Sequence, residues 1–291
     1  MMLSRDTRIA LIPFLFVWLW STGFVGAKLA TPHVEPLLLL SIRFMIVIPI
    51  FVALIAIFKA TPAKRKDIPL QILIGALLHG LYLGGVFVAV RFGTPAGISA
   101  IVVGLQPILV TFLNRAFFGV AVTRLQIVGL LLGFCGLVAV IAGSQELTSP
   151  DIGPLGIISC FLSLLGITFA TLLQKQYASG TSLLGGSAWQ YFGGLLVVGI
   201  GSLFFETGQI EFVWQVYAAL AWLVLALSVV AVLLLLYMIR EGALSKVSAY
   251  LYLVPPVAVL QTWLFFGEAL SLVSLIGCAV VVMGIALVVR D

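Results

Sequence analysis

His79 and Tyr82 lie inside the apolar stretch ALLHGLYLGGVFVAV, which covers residues 76–90. A spacing of three residues places both side chains on one face if the stretch is helical. An imidazole can carry a proton near neutral pH, and a phenol can donate a hydrogen bond or contact another ring. The pair could therefore bind a polar or aromatic solute or pass a proton. The alternative is that both groups only hydrogen-bond to neighbouring helices and stabilise the fold.

Other candidate binding side chains lie at a similar depth in neighbouring apolar stretches. They combine aromatic rings with amide and hydroxyl groups, which need protein partners or water when an apolar medium surrounds them. Isolated serine and threonine residues fit helix–helix hydrogen bonds as well as they fit substrate contacts, and Trp18 could pack against lipid. Besides His79 and Tyr82, the predicted substrate-binding set comprises Trp18, Thr22, Ser99, Gln106, Thr168, Tyr237 and Tyr252.

Prolines interrupt two of these stretches near their centres. Pro107 and the pair Pro255 and Pro256 remove backbone donors and kink or break a helix. The carbonyl groups freed in the preceding turn must face protein or a water-filled cavity. We predict that these helix breaks flank one central cavity and gate it, with kinks that serve packing alone as the alternative.

The composition identifies the medium that surrounds these groups. The chain has 291 residues, of which 63% are hydrophobic and 9% are charged, and its mean hydropathy is +1.27. A soluble domain carries about 25% charged residues, because it must keep a wetted surface. The chain is therefore predicted to be an all-α, polytopic membrane protein with the lipid bilayer as its surroundings.

Ten apolar runs are about as long as a helix needs to be to cross a hydrocarbon core of ~30 Å. The connections between them are short, which leaves no room for a soluble domain. The predicted transmembrane helices are 9–29, 36–58, 69–91, 95–115, 123–142, 154–175, 183–206, 214–238, 245–266 and 271–289.

The charges divide between the two sides of this arrangement. If the N-terminus is cytoplasmic, twelve of the fifteen lysine and arginine residues lie on the inner side, and the outer connections contain mostly acids. Both termini are therefore predicted to be cytoplasmic, and the net charge of +5 does not indicate a nucleic-acid partner. Lys28, Arg43 and Arg91 are the exceptions, in the outer halves of the first three spans. We assign them to an outer vestibule that attracts an anionic group, with an ion pair between Arg43 and Glu35 as the alternative.

Two stretches resemble each other at a separation of 148 or 149 residues. Residues 90–99 align with residues 239–248, and Pro107 then aligns with Pro256. Because each half contains five predicted spans, an odd number, the second half must enter the membrane from the opposite side. Inverted repeats of this kind are typical of secondary transporters, whose binding site lies between the repeats.

The predicted domains are residues 1–145 and 146–291, each a five-helix repeat around the central cavity. Glycines of the fifth span, including Gly129 and Gly136, align with Gly277 and Gly284 of the tenth. Such glycines let two helix backbones approach closely, so we assign these spans to the scaffold or to a dimer contact. The expected oligomeric state is a monomer or a weak homodimer.

Several sequence motifs of the chain resemble those of a known family. The motif WSTGFV at residues 20–25, Arg43 in the second span, and FGE at residues 266–268 followed by Gly277 and Gly284 resemble the EamA-type drug/metabolite transporter superfamily over the whole chain. Within it the chain is most similar to the aromatic amino acid exporter (YddG-like) branch. The resemblance implies ten helices, inverted halves, a bacterial inner-membrane location and movement of small metabolites out of the cytoplasm.

One position departs from the symmetry that the resemblance implies. The second half has Glu268 where the first half has Val120. A role for this glutamate that both halves share is therefore in doubt.

The acidic residues narrow the choice of substrate. All ten aspartate and glutamate residues fall in loops or at span ends, so no embedded carboxylate is predicted to bind a lipophilic cation. Phosphorylated sugars would need a cluster of basic residues near the midplane. We therefore predict a secondary transporter that exports small zwitterionic metabolites, aromatic or large neutral amino acids above all, by alternating access. The alternative is an exporter of lipophilic drugs, cations or other metabolites.

The histidines and cysteines indicate what to expect for energy coupling, catalysis and cofactors. His79 is the predicted mid-membrane group that exchanges a proton near neutrality, so proton coupling through His79 and facilitated diffusion both stay open. No catalytic constellation accompanies His33 or His79, and no charged ring of a pore is found, so an enzyme and a channel are not expected. Cys135, Cys160 and Cys278 lack the spacing of metal ligands, and no metal or other cofactor is predicted.

Overall fold

The computed structural model describes residues 5–119, 121–143, 153–178, 180–240, 253–268 and 271–289. Their regular secondary structure is helical, apart from an isolated bridge between Val34 and Ile210. We number the helices α1 to α10 and treat directly adjoining helical segments as one helix. They are α1 (Arg5–Ala30), α2 (Pro36–Ile57), α3 (Arg65–Arg91), α4 (Ala96–Phe118), α5 (Arg124–Gly143), α6 (Pro154–Tyr177), α7 (Leu183–Phe205), α8 (Trp214–Trp222, Leu223–Ala231 and Val232–Arg240), α9 (Val254–Phe266) and α10 (Leu272–Val289).

Seven of these helices, α1 to α4 and α6 to α8, are long and apolar enough to cross a membrane. Within the described residues α5, α9 and α10 supply shorter apolar stretches. Residues 241–252, which include the start of the predicted ninth span, lie outside the described residues. The all-helical class of the prediction is confirmed, while the count of ten spans, the inverted insertion and the cytoplasmic termini stay predictions.

Most helices of one predicted half pack against helices of the other half. Helix α2 packs on α7, α4 on α9, and α5 on α10. The third helix of each half contacts the first helix of the other, so that α3 packs on α6 and α8 on α1. The largest buried apolar cluster of the described residues lies where α1, α2, α3, α7 and α8 converge, extends to α4 and α9, and includes Phe16, Phe44 and Phe87.

Helices α5 and α10 approach each other through glycines. A Cβ atom added at Gly136 would meet the backbone of Gly277, and one added at Gly284 would meet the backbone of Gly129 and Gly133. Without side chains between them, the two backbones gain close van der Waals contact, which is one of the forces that hold helices together in lipid. This contact forms within one chain and lies away from the cavity described below.

The third helix of each half contains a π-helical segment. These segments are Ala76–Leu83 in α3 and Leu223–Ala231 in α8. A π-helical turn contains an extra residue, which rotates the side chains that follow it, and such turns are frequent at functional sites. The π-helical segment of α3 contains both His79 and Tyr82.

The fourth helix of each half has a proline at the start of a helical segment. Helix α4 is interrupted at Leu105, and its second part, Gln106–Phe118, begins with Pro107 at one of its first two positions. Helix α9 has Pro255 and Pro256 in the corresponding place. A proline is tolerated there because its missing N–H would have no partner within the helix. The gating role of these three prolines stays a prediction.

Candidate functional site

Five helices, α1, α2, α3, α7 and α8, surround a cavity in the interior. Its volume is about 150 Å³, similar to the ~150 Å³ of an engineered apolar cavity that holds one benzene molecule. Most of its wall is apolar, and aromatic rings of Trp20, Phe24 and Phe87 contribute to it. Polar groups face the same volume from Arg43, His79, Tyr82, Ser187, Gln190 and Tyr191.

His79 and Tyr191 form the aromatic centre of this cavity. Their rings are stacked, with centroids 4.2 Å apart and an angle of 9° between the planes. Phe44 meets both rings edge-on, at centroid distances of 5.8 Å to His79 and 5.5 Å to Tyr191. The buried Nδ1 atom of His79 has no hydrogen-bond partner among the described residues. The imidazole is therefore positioned by ring packing and keeps a polar atom for another partner.

Glycines allow α3 and α7 to bring these rings together. A Cβ atom at Gly75 would overlap the backbone of Gln190, and one at Gly194 would overlap the Cβ of His79. The absence of side chains at both glycines lets the two helices approach until His79 reaches the ring of Tyr191. Gln190 and Tyr191 of α7 both line the cavity and contribute an amide and a phenol to its wall.

Arg43 extends from α2 into the cavity wall and is 4% exposed. Its Nε and Nη2 atoms donate hydrogen bonds to the Ser228 hydroxyl, at 3.2 Å and 3.0 Å. The guanidinium also lies 5.9 Å from the centre of the Phe44 ring. From the sequence, Arg43 is predicted to belong to an outer vestibule. It lies instead in the cavity wall with His79 and Tyr191, because α2 turns this position towards the interior of the bundle.

Glu35, the alternative partner considered for Arg43, binds another part of the chain. Its carboxylate accepts hydrogen bonds from the backbone N–H groups of Thr207, Gly208 and Gln209, at 2.7 to 3.0 Å. Burial acts to raise the pKa of Glu35, but these hydrogen bonds outweigh it and hold the pKa below its ordinary value. The contact ties the α1–α2 connection to the α7–α8 connection.

Lys28 and Arg91, the two other residues assigned to the vestibule, also take part in contacts at this end. The Lys28 ammonium pairs with the carboxylate of Glu268. Glu268 also accepts hydrogen bonds from the backbone N–H groups of Ala96 and Gly97 at the start of α4, both at 3.1 Å, where the helix dipole favours a negative charge. Arg91 donates to the Thr31 carbonyl oxygen at 2.9 Å. Val120, the counterpart of Glu268, lies outside the described residues.

Three of the predicted binding residues bond to neighbouring helices or to their own helix. Trp222 Nε1 donates to the Thr22 hydroxyl at 2.7 Å, and the Gln106 side chain donates to the Thr171 hydroxyl at 2.9 Å. The Thr168 hydroxyl donates to the Leu164 carbonyl oxygen at 2.6 Å. These are the helix-stabilising contacts that the sequence analysis gave as the alternative.

The remaining predicted binding residues lie elsewhere. Trp18 and Tyr237 are exposed on the outside of the helices, and Ser99 is fully buried away from the cavity lining. Tyr252 lies outside the described residues. Of the predicted set, His79 and Tyr82 are the ones that the described cavity brings together.

Sequence reasoning did not single out several cavity residues. Gln190 and Tyr191 form a polar pair in the middle of the seventh span, so the depth argument applied to His79 would have found them. Gln190 Nε2 donates to Gln71 Oε1 at 2.7 Å and to Gln174 Oε1 at 2.9 Å, which continues the polar wall beyond the cavity. Trp20 appeared in the quoted motif without a predicted role.

A helical membrane protein with an interior cavity of this kind fits the class of membrane transporters. The chain belongs to the EamA-like transporter family, whose model matches residues 7–142 and 154–290. It is a transporter and an integral protein of the inner membrane, as the sequence predicted. The narrower assignment to the aromatic amino acid exporter branch does not follow from the family match.

The chain resembles several curated transporters at low identity. It is 27% identical to "Uncharacterized transporter YvbV" of Bacillus subtilis, covering 97% of this chain and 92% of the relative. It is 24% identical to "Uncharacterized inner membrane transporter YedA" of Escherichia coli K12, covering 94% and 88%. A "Probable amino-acid metabolite efflux pump" of Salmonella typhimurium is 32% identical over 49% of this chain and 45% of the relative. A protein of known crystal structure shares the fold, with a TM-score of 0.66, 18% identity and 97% coverage of both chains.

Proposed function

We propose that the chain exports small zwitterionic metabolites, aromatic or large neutral amino acids in particular, by alternating access. The observation that carries the proposal is the cavity in which the buried guanidinium of Arg43 lies beside the stacked rings of His79 and Tyr191. An amino acid with a large side chain needs a charged group for its carboxylate and an apolar or aromatic surface for its side chain. Both kinds of group line the same cavity.

The contacts at one end of the bundle support alternating access. Glu35 and Glu268 hold the connections of both halves together there, and the predicted topology places this end outside the cell. The cavity extends the other way, towards Leu183 near the start of α7 and Leu235 near the end of α8. This arrangement is that of a cavity closed towards the outside, and release of a solute would require the outer contacts to separate.

Corresponding features of the two halves support the inverted-repeat arrangement. The π-helical segments occupy corresponding places in α3 and α8. Gly119 and Gly267, which align in the sequence repeat, each end the fourth helix of their half with a left-handed backbone, at φ of 65° and 68°. Two halves with the same helix irregularities suit a mechanism in which they exchange conformations around one site.

Relatives with a named substrate class point in the same direction. Besides the Salmonella protein, a "Probable amino-acid metabolite efflux pump" of Escherichia coli K12 is 28% identical over 61% of this chain and 56% of its own length. We carry the amino-acid class over to this chain because Arg43 supplies the positive charge that a carboxylate requires. The transporter is proposed to act as a monomer or a weak homodimer.

The alternative substrate class is a lipophilic drug or cation, which the largely apolar cavity wall would suit. A cation would meet the buried charge of Arg43 without a carboxylate among the described lining residues. Bringing two positive charges together in a medium of low dielectric is costly. This repulsion favours the zwitterionic class over cations, whereas an uncharged drug would not be rejected in this way.

Transport into liposomes tests the proposal directly. The purified full-length chain is reconstituted, and uptake of labelled phenylalanine and of a labelled lipophilic cation is compared with uptake into protein-free liposomes. We expect saturable, protein-dependent uptake of phenylalanine and none of the cation. Equal phenylalanine uptake with and without protein would contradict the proposed function, and protein-dependent uptake of the cation alone would favour the alternative.

A further inference from the structure

The Arg43 guanidinium retains hydrogen-bond donors after its contacts with the protein are counted. A guanidinium has five N–H donors, which form a planar fork suited to a carboxylate. Nε and Nη2 both donate hydrogen bonds to the Ser228 hydroxyl, which is the acceptor that the described residues provide for the guanidinium. The Ser228 hydroxyl donates onward to the Leu223 carbonyl oxygen at 3.1 Å. Ser228 therefore fixes one edge of the fork and leaves Nη1 for another partner.

The positive charge of Arg43 has no acidic partner among the described side chains. A buried charge is costly unless an opposite charge or several hydrogen bonds compensate it. Glu35 and Glu206 bind backbone N–H groups of connecting segments and helix starts, and Glu268 binds Lys28. Glu211 pairs with His33 at 2.6 Å. The missing negative charge can therefore come from a solute that enters the cavity.

The described cavity lining offers no acidic side chain to pair with an ammonium group. The polar groups that line it besides Arg43 are neutral amides, hydroxyls and an imidazole, from Ser187, Gln190, Tyr82, Tyr191 and His79. An ammonium group would meet these groups without an opposite charge, and the nearby guanidinium of Arg43 would repel it. A carboxylate thus gains a charge-paired contact that an ammonium group does not find among these side chains.

We propose that the cavity recognises its substrates through their carboxylate, by pairing with Arg43, and that an α-amino group is dispensable. The ligand class is then arylalkyl carboxylates, with or without an amino group, whose ring packs beside His79 and Tyr191. This inference rests on the proposed function, in that it takes the described cavity to be the transport site. It extends the substrate class from zwitterions to monoanionic aromatic carboxylates.

A matched series of ligands tests the inference on the unmodified protein. Binding of phenylalanine, 3-phenylpropanoate, 2-phenylethylamine and phenylalaninamide to the purified full-length chain is measured by calorimetry in detergent. The four share one ring and differ in the presence of the carboxylate and the amine. We expect phenylalanine and 3-phenylpropanoate to bind with similar affinity, and the two ligands without a carboxylate to bind at least about tenfold more weakly.

Variants connect the preference to Arg43. Arg43→Gln should abolish the difference between 3-phenylpropanoate and 2-phenylethylamine. Arg43→Lys, which keeps the charge but loses the planar fork, should retain part of it. Arg115→Gln removes an arginine from the exposed end of α4 and should leave the preference unchanged. Ser228→Ala keeps the guanidinium while loosening its position, and should weaken carboxylate binding less than Arg43→Gln does.

The outcomes separate this inference from the proposed function. Phenylalaninamide or 2-phenylethylamine could bind as tightly as phenylalanine. That result would contradict carboxylate recognition by Arg43 but would leave the proposed transport of amino acids intact. If phenylalanine binds and 3-phenylpropanoate does not, the amino group is required and the extension to monoanions is wrong. If phenylalanine neither binds nor is transported, both the inference and the proposed function fail. The ligand series needs no variant, so a folding defect of Arg43→Gln cannot hide the result.

Discussion

The imidazole of His79 lies flat against the phenol ring of Tyr191, with ring centroids 4.2 Å apart. The two residues come from α3 and α7, one from each predicted half of the chain. A substrate beside this stack would therefore contact both halves at once.

Replacement of Tyr191 by alanine should weaken transport of aromatic substrates. Loss of the ring removes one member of the stack and widens the cavity, and we expect the Michaelis constant for phenylalanine to rise by about tenfold. Tyr191→Phe keeps the ring and should change the Michaelis constant by less than about twofold. Trp189→Ala removes a partly exposed ring from the same helix and serves as the control. A normal Michaelis constant in Tyr191→Ala would exclude this ring from the binding site.

Replacement of His79 by glutamine tests whether transport is coupled to protons. The Nδ1 atom of His79 has no partner in the described part of the chain, and no carboxylate of the described cavity lining could receive its proton. We therefore expect facilitated transport, in which His79→Gln lowers the rate but keeps the wild-type dependence on pH. Initial rates in liposomes over a series of pH values provide the measurement. A pH profile that flattens in the variant would assign proton transfer to His79.

Glu35 should make the contact between the α1–α2 and α7–α8 connections sensitive to acid. Its pKa in the folded protein lies below the ordinary value of 4.5, so the carboxylate stabilises the contact above that pH. The stabilisation is lost as the pH falls through the folded-state pKa. We expect Glu35→Gln to melt at a lower temperature than the wild type at neutral pH, and the gap to close as the pH falls below 4.5 and through the folded-state pKa.

Neighbouring groups do not obscure this comparison. His33, Glu206 and Glu211 lie in or next to the same connections, and both proteins retain them. The difference between the two melting curves therefore reports Glu35 alone. A gap that stays constant as the pH is lowered from neutrality until the protein unfolds would show that the charge of Glu35 does not hold the contact.

Substitution of Gly75 should disturb the contact that positions His79. A Cβ atom there would overlap the backbone of Gln190, and helices must move apart to accept it. We expect Gly75→Ala to lower the free energy of unfolding by about 1–3 kcal/mol and to weaken phenylalanine binding. Gly180→Ala is the matched control, since a Cβ atom at Gly180 meets nothing within 4 Å. Thermal melting in detergent and calorimetry would measure both effects, and equal stability of the two variants would contradict the close helix contact.

Part of the site was predictable because membrane depth can be read along the chain. His79 and Tyr82 stand near the centre of an apolar run, and both line the cavity. Gln106 and Thr168 are predicted from a similar depth, but their side chains hydrogen-bond to Thr171 and to the Leu164 carbonyl oxygen. Depth fixes how far a residue lies from the bilayer surface, but the rotation of the helix decides what its side chain faces.

Trp18 and Trp20 illustrate the same distinction within a single turn of α1. Trp18, which the sequence predicts to bind substrate, is exposed, while Trp20 lines the cavity. Two residues apart on a helix point in nearly opposite directions, and hydropathy does not distinguish them when both flanks are apolar. Their assignment depends on which face of α1 packs against α8 and α9.

The sequence by itself determined the medium, the helical class and the approximate limits of most helices. The predicted spans 36–58 and 183–206 correspond to Pro36–Ile57 and Leu183–Phe205, because a backbone in lipid must satisfy its hydrogen bonds within a helix. Only the tertiary structure decided that Arg43 faces the cavity, beside Ser228 from a distant part of the chain. Such a contact depends on how helices pack, and packing is set by the shapes of many side chains together, which no local pattern in the sequence records.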